Sequence, residues 1–391
     1  MSKRIAIVGA GITGSVIARC AADNGINVDI FEKRNHLAGN CYDIEELNSF
    51  THKYGPHLFH TGNKKVVDFI KRFSEFVPYI HKVNAFVDGQ FIPIPYNLLS
   101  LEFTHPPYLA KRISQKLIDE FGFGNQASIY KLLDSADKDI KNLGDFIYKK
   151  IFFGYSCKQW GVKDPLSINR NVLDRVPVRI NKNTNYFLDK YQFLPKNGYT
   201  NLLKNIVNSE KINIKVDHNL KFPVENISST CTQIEINGTK YDHLFYTGKV
   251  DELFSYCEGK LEYRSLNFVE DEFCISPTRP SLALNYPENF DFTRIVDYSF
   301  IGIALGRNVE KSRLVTEYPG RYDENDPKFN EAFYPLFTKE AQQKYKLYEK
   351  LSNSLSNTLT VCGRLGKYKY FDMDDAIGAA LNLVSKNHIF N

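Results

Sequence analysis

Three glycines in the stretch GAGITG stand at Gly9, Gly11 and Gly14, the spacing of a turn whose backbone N–H groups can hold a pyrophosphate. A β-branched run, RIAIV at 4–8, leads into it, and SVIARCAADNG leaves it with helical spacing and stops at a glycine. INVDIFEKR follows as a second strand carrying Glu32 near its end. Each part has a physical task. Gly9 permits the tight turn, Gly11 lets the backbone approach the phosphates, and Gly14 lets helix and strand pack closely. Ala10 and Thr13 belong to the same loop, the helix N-terminus faces the anion, and Glu32 can accept hydrogen bonds from ribose hydroxyls. Strand, helix, strand and acid in register predict a dinucleotide site.

The continuation RNHLAGNCYD favours flavin over nicotinamide. Basic residues at the end of the second strand, Lys33 among them, are followed by small residues and then Asn40. This is the pattern of flavoproteins whose second glycine loop, here Gly39, closes over the cofactor. Ala38 stands where the first of two glycines is usual.

The elements needed to position such a site are available. A chain of 391 residues with 43% hydrophobic content can bury a large core and is long enough for two or three units. The net charge of +5 is too small for the basic stripe of a nucleic-acid binder, but it suits an anionic small ligand. No run of about 18 apolar residues occurs, so no membrane insertion is expected. MSKRIAIVGAG breaks into glycines too early for a secretory leader. Seven dispersed cysteines without CxxC pairs fit a reducing cytoplasm. Residues from about 97 to 165 carry helical spacing, whereas INIKVD, TQIEING and KYDHLFYTG alternate as strands do.

Motifs along nearly the whole chain resemble the bacterial-type UDP-galactopyranose mutases. They are KYGPHLFHT from Lys53, FFGYSCKQWG from Phe152, DRVPVR from Asp174, NYFLDKYQFLPKNGYT from Asn185, NYPENFDFTR from Asn285, TEY from Thr316 and GRLGKYKYFDMD from Gly363. The resemblance implies an α/β protein: a Rossmann-like FAD-binding domain with an inserted helical domain and an antiparallel β-sheet domain. The division expected is 1–80, about 196–250 and 316–391 for the FAD domain. The helical domain with its mobile lid would take about 97–175, and the substrate sheet about 81–96, 176–195 and 251–315.

The resemblance also implies an activity. UDP-galactopyranose and UDP-galactofuranose interconvert by ring contraction through a flavin N5–sugar adduct, with no net redox change. The product would serve cell-surface polysaccharide. FAD would be active when reduced by an external reductant such as NAD(P)H, and a homodimer would be the working form. Carried over by position, Arg175 is the lid arginine, Arg294 a fixed diphosphate anchor, and His60 a group tuning the flavin. His57, Leu58, Arg364, Asp372 and Met373 complete the FAD site. Phe152 and Tyr155 hold the uracil ring and Trp160 lies under the sugar–nucleotide channel, while Tyr186, Tyr318 and Tyr370 contact the diphosphate and Asn285 lies near the nucleotide or sugar. Arg179 is a further basic candidate.

The three histidines His52, His57 and His60 could suggest a metal, but no carboxylate or thiol completes a ligand set and none is expected. Asp174, Asp297 and Tyr298 depart from the family pattern at places where sugar or nucleotide choice could change. The same chemistry on UDP-N-acetylgalactosamine or dTDP-fucopyranose is therefore an alternative. A conventional FAD oxidoreductase is another, though it leaves the paired arginines unexplained.

Overall fold

A computed structural model of the chain describes residues 3–163, 176–220, 232–274 and 279–390. Arg4–Val8 is the central strand of a five-stranded parallel sheet, ordered 212–215, 27–31, 4–8, 243–246 and 359–361. A parallel strand is covered on both faces, which is why RIAIV is apolar without alternation. Ile5 and Ile7 pack beneath helices Ile12–Asp23, Gly198–Val207 and Met373–Lys386, while Ala6 joins the opposite core against Lys339–Ser354. The chain thus returns to its first strand with its last helix, so Gly363–Asp375 closes the dinucleotide site from the far end of the sequence.

A second sheet of seven strands runs in the order 334–335, 263–274, 311–321, 294–297, 283–285, 83–87 and 90–94. Its pairs are antiparallel except for the parallel contact of 283–285 with 83–87. Two expected boundaries are corrected here. Strand Lys311–Arg321 belongs to this sheet throughout, so a division at 316 cuts through one hydrogen-bonded element. Residues 176–195 are not part of it either. Val178–Arg179 pairs with Gln126–Ala127 of the helical unit, and Tyr191–Pro195 pairs with Phe59–Thr61 and Phe76–Pro78.

The helical unit shares one apolar core with the seven-stranded sheet. Helix Lys138–Ile147 begins at Asp137, whose carboxylate accepts from the N–H groups of Asp139 and Ile140 at 2.8 and 3.2 Å. Ile140, Leu143 and Ile147 lie one helical repeat apart and bury one face. The helix continues through a π-helical stretch, Tyr148–Phe153, into Gly154–Trp160, and ends where Gly161 takes φ +66°. That rotation of register sets the directions of Phe152, Tyr155 and Trp160.

Close packing at the glycine loop is testable. A Cβ at Gly14 would lie 2.0 Å from the Gly9 carbonyl oxygen and 3.2 Å from Ile7. Gly14→Ala is expected to lower stability by about 1–3 kcal/mol, the usual cost of overpacking, and to weaken flavin retention. Thermal melts and the flavin-to-protein ratio check it, and a parent-like melt would contradict the packing.

Candidate active site

Gly9 has φ +100°, and a Cβ there would meet Thr247 Oγ1 at 2.1 Å, so the turn tolerates no side chain. The helix that follows has Gly11 at its N-cap, no side-chain cap and no acid in its first turn. Its leading N–H groups are therefore available to phosphate. Glu32 is buried beside the loop, with one carboxylate oxygen accepting from Ala10 N at 2.7 Å and the other from Arg34 N at 2.9 Å. Thr13 abuts the loop at Gly363, where a Cβ would lie 3.6 Å from its Oγ1. Gly39 approaches Gly11 so closely that a Cβ on it would be 2.8 Å from the Gly11 Cα. Ala38 adopts φ +76°, the left-handed backbone that glycine enters without cost. Lys33 points away to Glu331 at 3.3 Å. Arg34 is the residue that donates to Asn40 Oδ1 at 3.0 Å and lies over the Tyr54 ring. These features fit a flavin dinucleotide: a side-chain-free cradle, an uncapped helix and an acid at the second strand.

A cavity of about 530 Å³ opens beyond the loop. Asn40, His57, Leu58, Arg364, Asp372 and Met373 line its inner end, where the flavin ring would rest. His57 Nδ1 lies 2.8 Å from the Gly55 carbonyl oxygen, so it carries the proton and leaves Nε2 a lone pair. Burial, and then the neighbouring His52, pull its pKa down to about 3, which keeps the ring neutral. His60 Nδ1 meets Asp189 Oδ2 at 2.9 Å, and its ring stacks on Phe187 at 3.5 Å. Among the described residues no group of His, Cys, Asp or Glu is placed to hold a metal ion. Asp372 caps helix Met373–Lys386 in a reciprocal box with Asp375, and burial raises the pKa of the next acid, Asp374.

The outer part carries Phe152, Tyr155, Trp160, Tyr186, Asn285, Arg294 and Tyr370. Arg294 stands directly across from Glu317 on the adjacent strand, donating from Nε at 3.0 Å and Nη2 at 2.8 Å to one carboxylate oxygen. Burial disfavours the guanidinium charge, but Glu317 more than offsets this and the pKa is raised. Burial also pushes the Tyr155 phenol up to about 12, despite Arg294, so it remains a hydrogen-bond donor at neutral pH.

The geometry revises several residues named from sequence. Tyr318 does not line the cavity: side chains alternate along a strand, and Glu317 takes the inward place. The Tyr318 ring instead packs on Phe292 at 5.9 Å. A tyrosine not named from sequence, Tyr334, lines it instead and stacks on Tyr370 at 9° with centroids 5.8 Å apart, with the Arg364 guanidinium over both rings. Its signal was the aromatic FYP tract at 333–335 in a segment without helical spacing, too short to read as a strand. Asp297 and Tyr298 are structural and leave the specificity argument without support. Ser299 and Ser312 bond the Asp297 carboxylate, and the buried Tyr298 donates to the His52 carbonyl at 3.1 Å. Arg179 touches the cavity wall, yet its guanidinium is spent on the carbonyls of Asn185 and Tyr186. Arg175 and Asp174 lie outside the described residues.

A glycine cradle for a flavin dinucleotide, continuous with a cavity built of tyrosines and a pinned arginine, defines a flavoprotein acting on an anionic ligand. The UDP-galactopyranose mutase family model matches residues 150–370, and a Rossmann-like NAD(P)-binding model matches 7–73. The chain is 34% identical to UDP-galactopyranose mutase of Mycoplasma genitalium, over 95% of this chain and 92% of that one. It is 30% identical to dTDP-fucopyranose mutase of Escherichia coli, over 97% of each. A crystal structure of reduced UDP-galactopyranose mutase superposes with TM-score 0.69 at 18% identity, covering 100% of this chain and 96% of that one. The chain belongs to the UDP-galactopyranose mutase family, whose cofactor is FAD.

Arg294→Ala would strand the Glu317 carboxylate, whose side chain is 1% exposed, at a cost of about 3–5 kcal/mol. Arg294→Lys is therefore the cleaner variant. It is expected to fold, stay yellow and lose about 100-fold in turnover, because an ammonium cannot bridge carboxylate and diphosphate as a planar fork does. Turnover within a few-fold of the parent would contradict the anchoring role.

Proposed function

We propose that this protein interconverts UDP-galactopyranose and UDP-galactofuranose, and the observation that carries the reading is the arrangement around Arg294. A fixed cation meets four tyrosines, Tyr155, Tyr186, Tyr334 and Tyr370, at a cavity that continues to the flavin cradle. Such a set can hold a diphosphate through bond cleavage and return. The phenols donate hydrogen bonds, and Arg294 offsets the charge that grows on the departing phosphate. When bound and reduced, FAD would supply the nucleophile for the anomeric carbon. The protein's own share is to orient the sugar, keep UDP in place for recapture and exclude water.

The inner wall suits that chemistry. Neutral His57 places no cation against the ring, and helix Met373–Lys386 directs its N-terminal dipole toward it, favouring an anionic reduced flavin. His60, held by Asp189, also lines the cavity. Arg175, the lid arginine by resemblance, would add a second cation for the diphosphate. The aromatic helix would stack the base, with Phe152 and Tyr155 against the ring and Trp160 under the channel. Nothing in this set requires net transfer of electrons to the substrate, which distinguishes it from a conventional oxidoreductase. We further propose a cytoplasmic homodimer that takes electrons from NAD(P)H and feeds a furanose donor to surface polysaccharide. No described helix is long and apolar enough to cross a membrane.

The similarity to a dTDP-fucopyranose mutase gives a second substrate standing. Both are decided together by chromatography of UDP-galactopyranose, dTDP-fucopyranose and UDP-N-acetylgalactosamine incubated with dithionite-reduced protein, with oxidised protein as control. The expected result is a new isomeric peak from UDP-galactopyranose under reduction only. A larger peak from either other sugar nucleotide would reassign the substrate, and none from any would overturn the mutase reading.

A further inference from the structure

Lys158 lies on helix Gly154–Trp160, one turn beyond Tyr155 and two residues before Trp160. Its half-buried ammonium pairs with no carboxylate among the described residues and enters a ring of main-chain oxygens. Nζ is 2.6 Å from the Tyr286 carbonyl, 2.9 Å from those of Phe290 and Phe292, and 3.1 Å from that of Glu288. The four belong to alternate residues of one loop, 286–293. An ammonium has only three protons, so four convergent carbonyls make this an oxygen cage for a compact cation.

The position of that loop gives the cage its meaning. It joins strand Ala283–Asn285 to strand Arg294–Asp297, and the two residues at its stem, Asn285 and Arg294, face each other in register. Both line the cavity, as do Tyr155 and Trp160 on the helix that carries Lys158. Helix and loop already touch closely: a Cβ at Gly154 would lie 1.9 Å from the Pro287 carbonyl oxygen. Two neighbouring charges, Glu288 and Arg264, are otherwise engaged. Lys150 holds the Glu288 carboxylate at 3.0 Å, and Arg264 donates to the carbonyls of Lys158 and Gln159. Among the described residues Lys158 makes no ion pair. Burial pulls its pKa down to about 8, with Asp291 opposing. Drawing an ammonium from water into neutral oxygens is worthwhile only where its geometry is used.

We propose that Lys158 is a positioning residue: it locks loop 286–293 to the aromatic helix and so fixes the distance between Arg294 and Tyr155 across which a nucleoside diphosphate is held. This rests on the reading of the cavity as a nucleotide-sugar site. Asn285, whose buried Oδ1 has no hydrogen-bond partner among the described residues, stands at the stem of the same loop.

The test compares the parent, Lys158→Met and Lys158→Ala as flavin-loaded oxidised proteins, with thermal melts alongside. UDP affinity is read from the fluorescence of Trp160, the single tryptophan. Both variants are expected to retain flavin and to bind UDP about tenfold to hundredfold more weakly, the scale of a small misplacement of anchoring groups. Methylammonium chloride should restore much of the affinity of Lys158→Ala by filling the oxygen cage, and tetramethylammonium at equal ionic strength should not. Lys158→Met, whose side chain occupies the path, should not respond. Should Lys158→Ala fail to fold, Lys158→Met carries the comparison. UDP binding within twofold of the parent in either variant overturns the proposal, as does a loss in Lys158→Ala that methylammonium leaves unchanged. If the parent itself binds neither UDP nor dTDP, the nucleotide reading falls first and this inference with it.

Discussion

The pairing of Arg294 with Glu317 is the constraint around which the active cavity is arranged. A guanidinium taken from water is stable only beside a carboxylate that is itself buried and correctly aimed. That requirement fixes two central strands of the seven-stranded sheet in register. With Glu317 turned inward, Tyr318 must face out, Tyr298 fills the core beneath His52, and the loop from Asn285 to Arg294 hangs over the aromatic helix. The pair also leaves Arg294 with N–H groups to spare, since it donates only Nε and Nη2 to one carboxylate oxygen. A cation pinned in this way can meet a diphosphate without rearranging, which is the condition for strong electrostatic help during cleavage.

Legibility followed the range of the interactions. The dinucleotide cradle was readable because it is local: Gly9, Gly11, Gly14 and Glu32 act through turns and strands within one βαβ unit. The helices between Leu98 and Trp160 were readable for the same reason, as one apolar stripe per helix is written in consecutive residues. The return of Gly363–Asp375 to the first strand could be known only through resemblance, because no local pattern says which sheet a late segment rejoins. Tyr318 and Tyr334 show where residue reading stops. Which tyrosine enters the cavity depends on strand register, and register was set by Glu317 seventeen residues before the correct one. Asp297 and Tyr298 looked like specificity positions because they depart from a pattern. Their hydrogen bonds show that they support the core instead.

The two halves of the cavity divide the work. The inner half keeps His52 and His57 neutral by burial, and its positive groups among the described residues are Arg364 and a helix N-terminus. The outer half gathers charge and hydrogen-bond donors. A reduced flavin and a leaving diphosphate are both anionic, and placing their stabilising groups on different walls lets one form while the other departs. Membership of the family fixes the type of chemistry.

The central claim is that the flavin works without a net change of its electrons. Anaerobic protein reduced with dithionite, freed of excess reductant and mixed with many equivalents of UDP-galactopyranose, tests it directly when flavin absorbance and product are followed together. The account predicts isomer formed far beyond the amount of protein while the flavin stays bleached. Recovery of the oxidised flavin spectrum in step with substrate consumed, one for one, would contradict it and place the protein among the oxidoreductases.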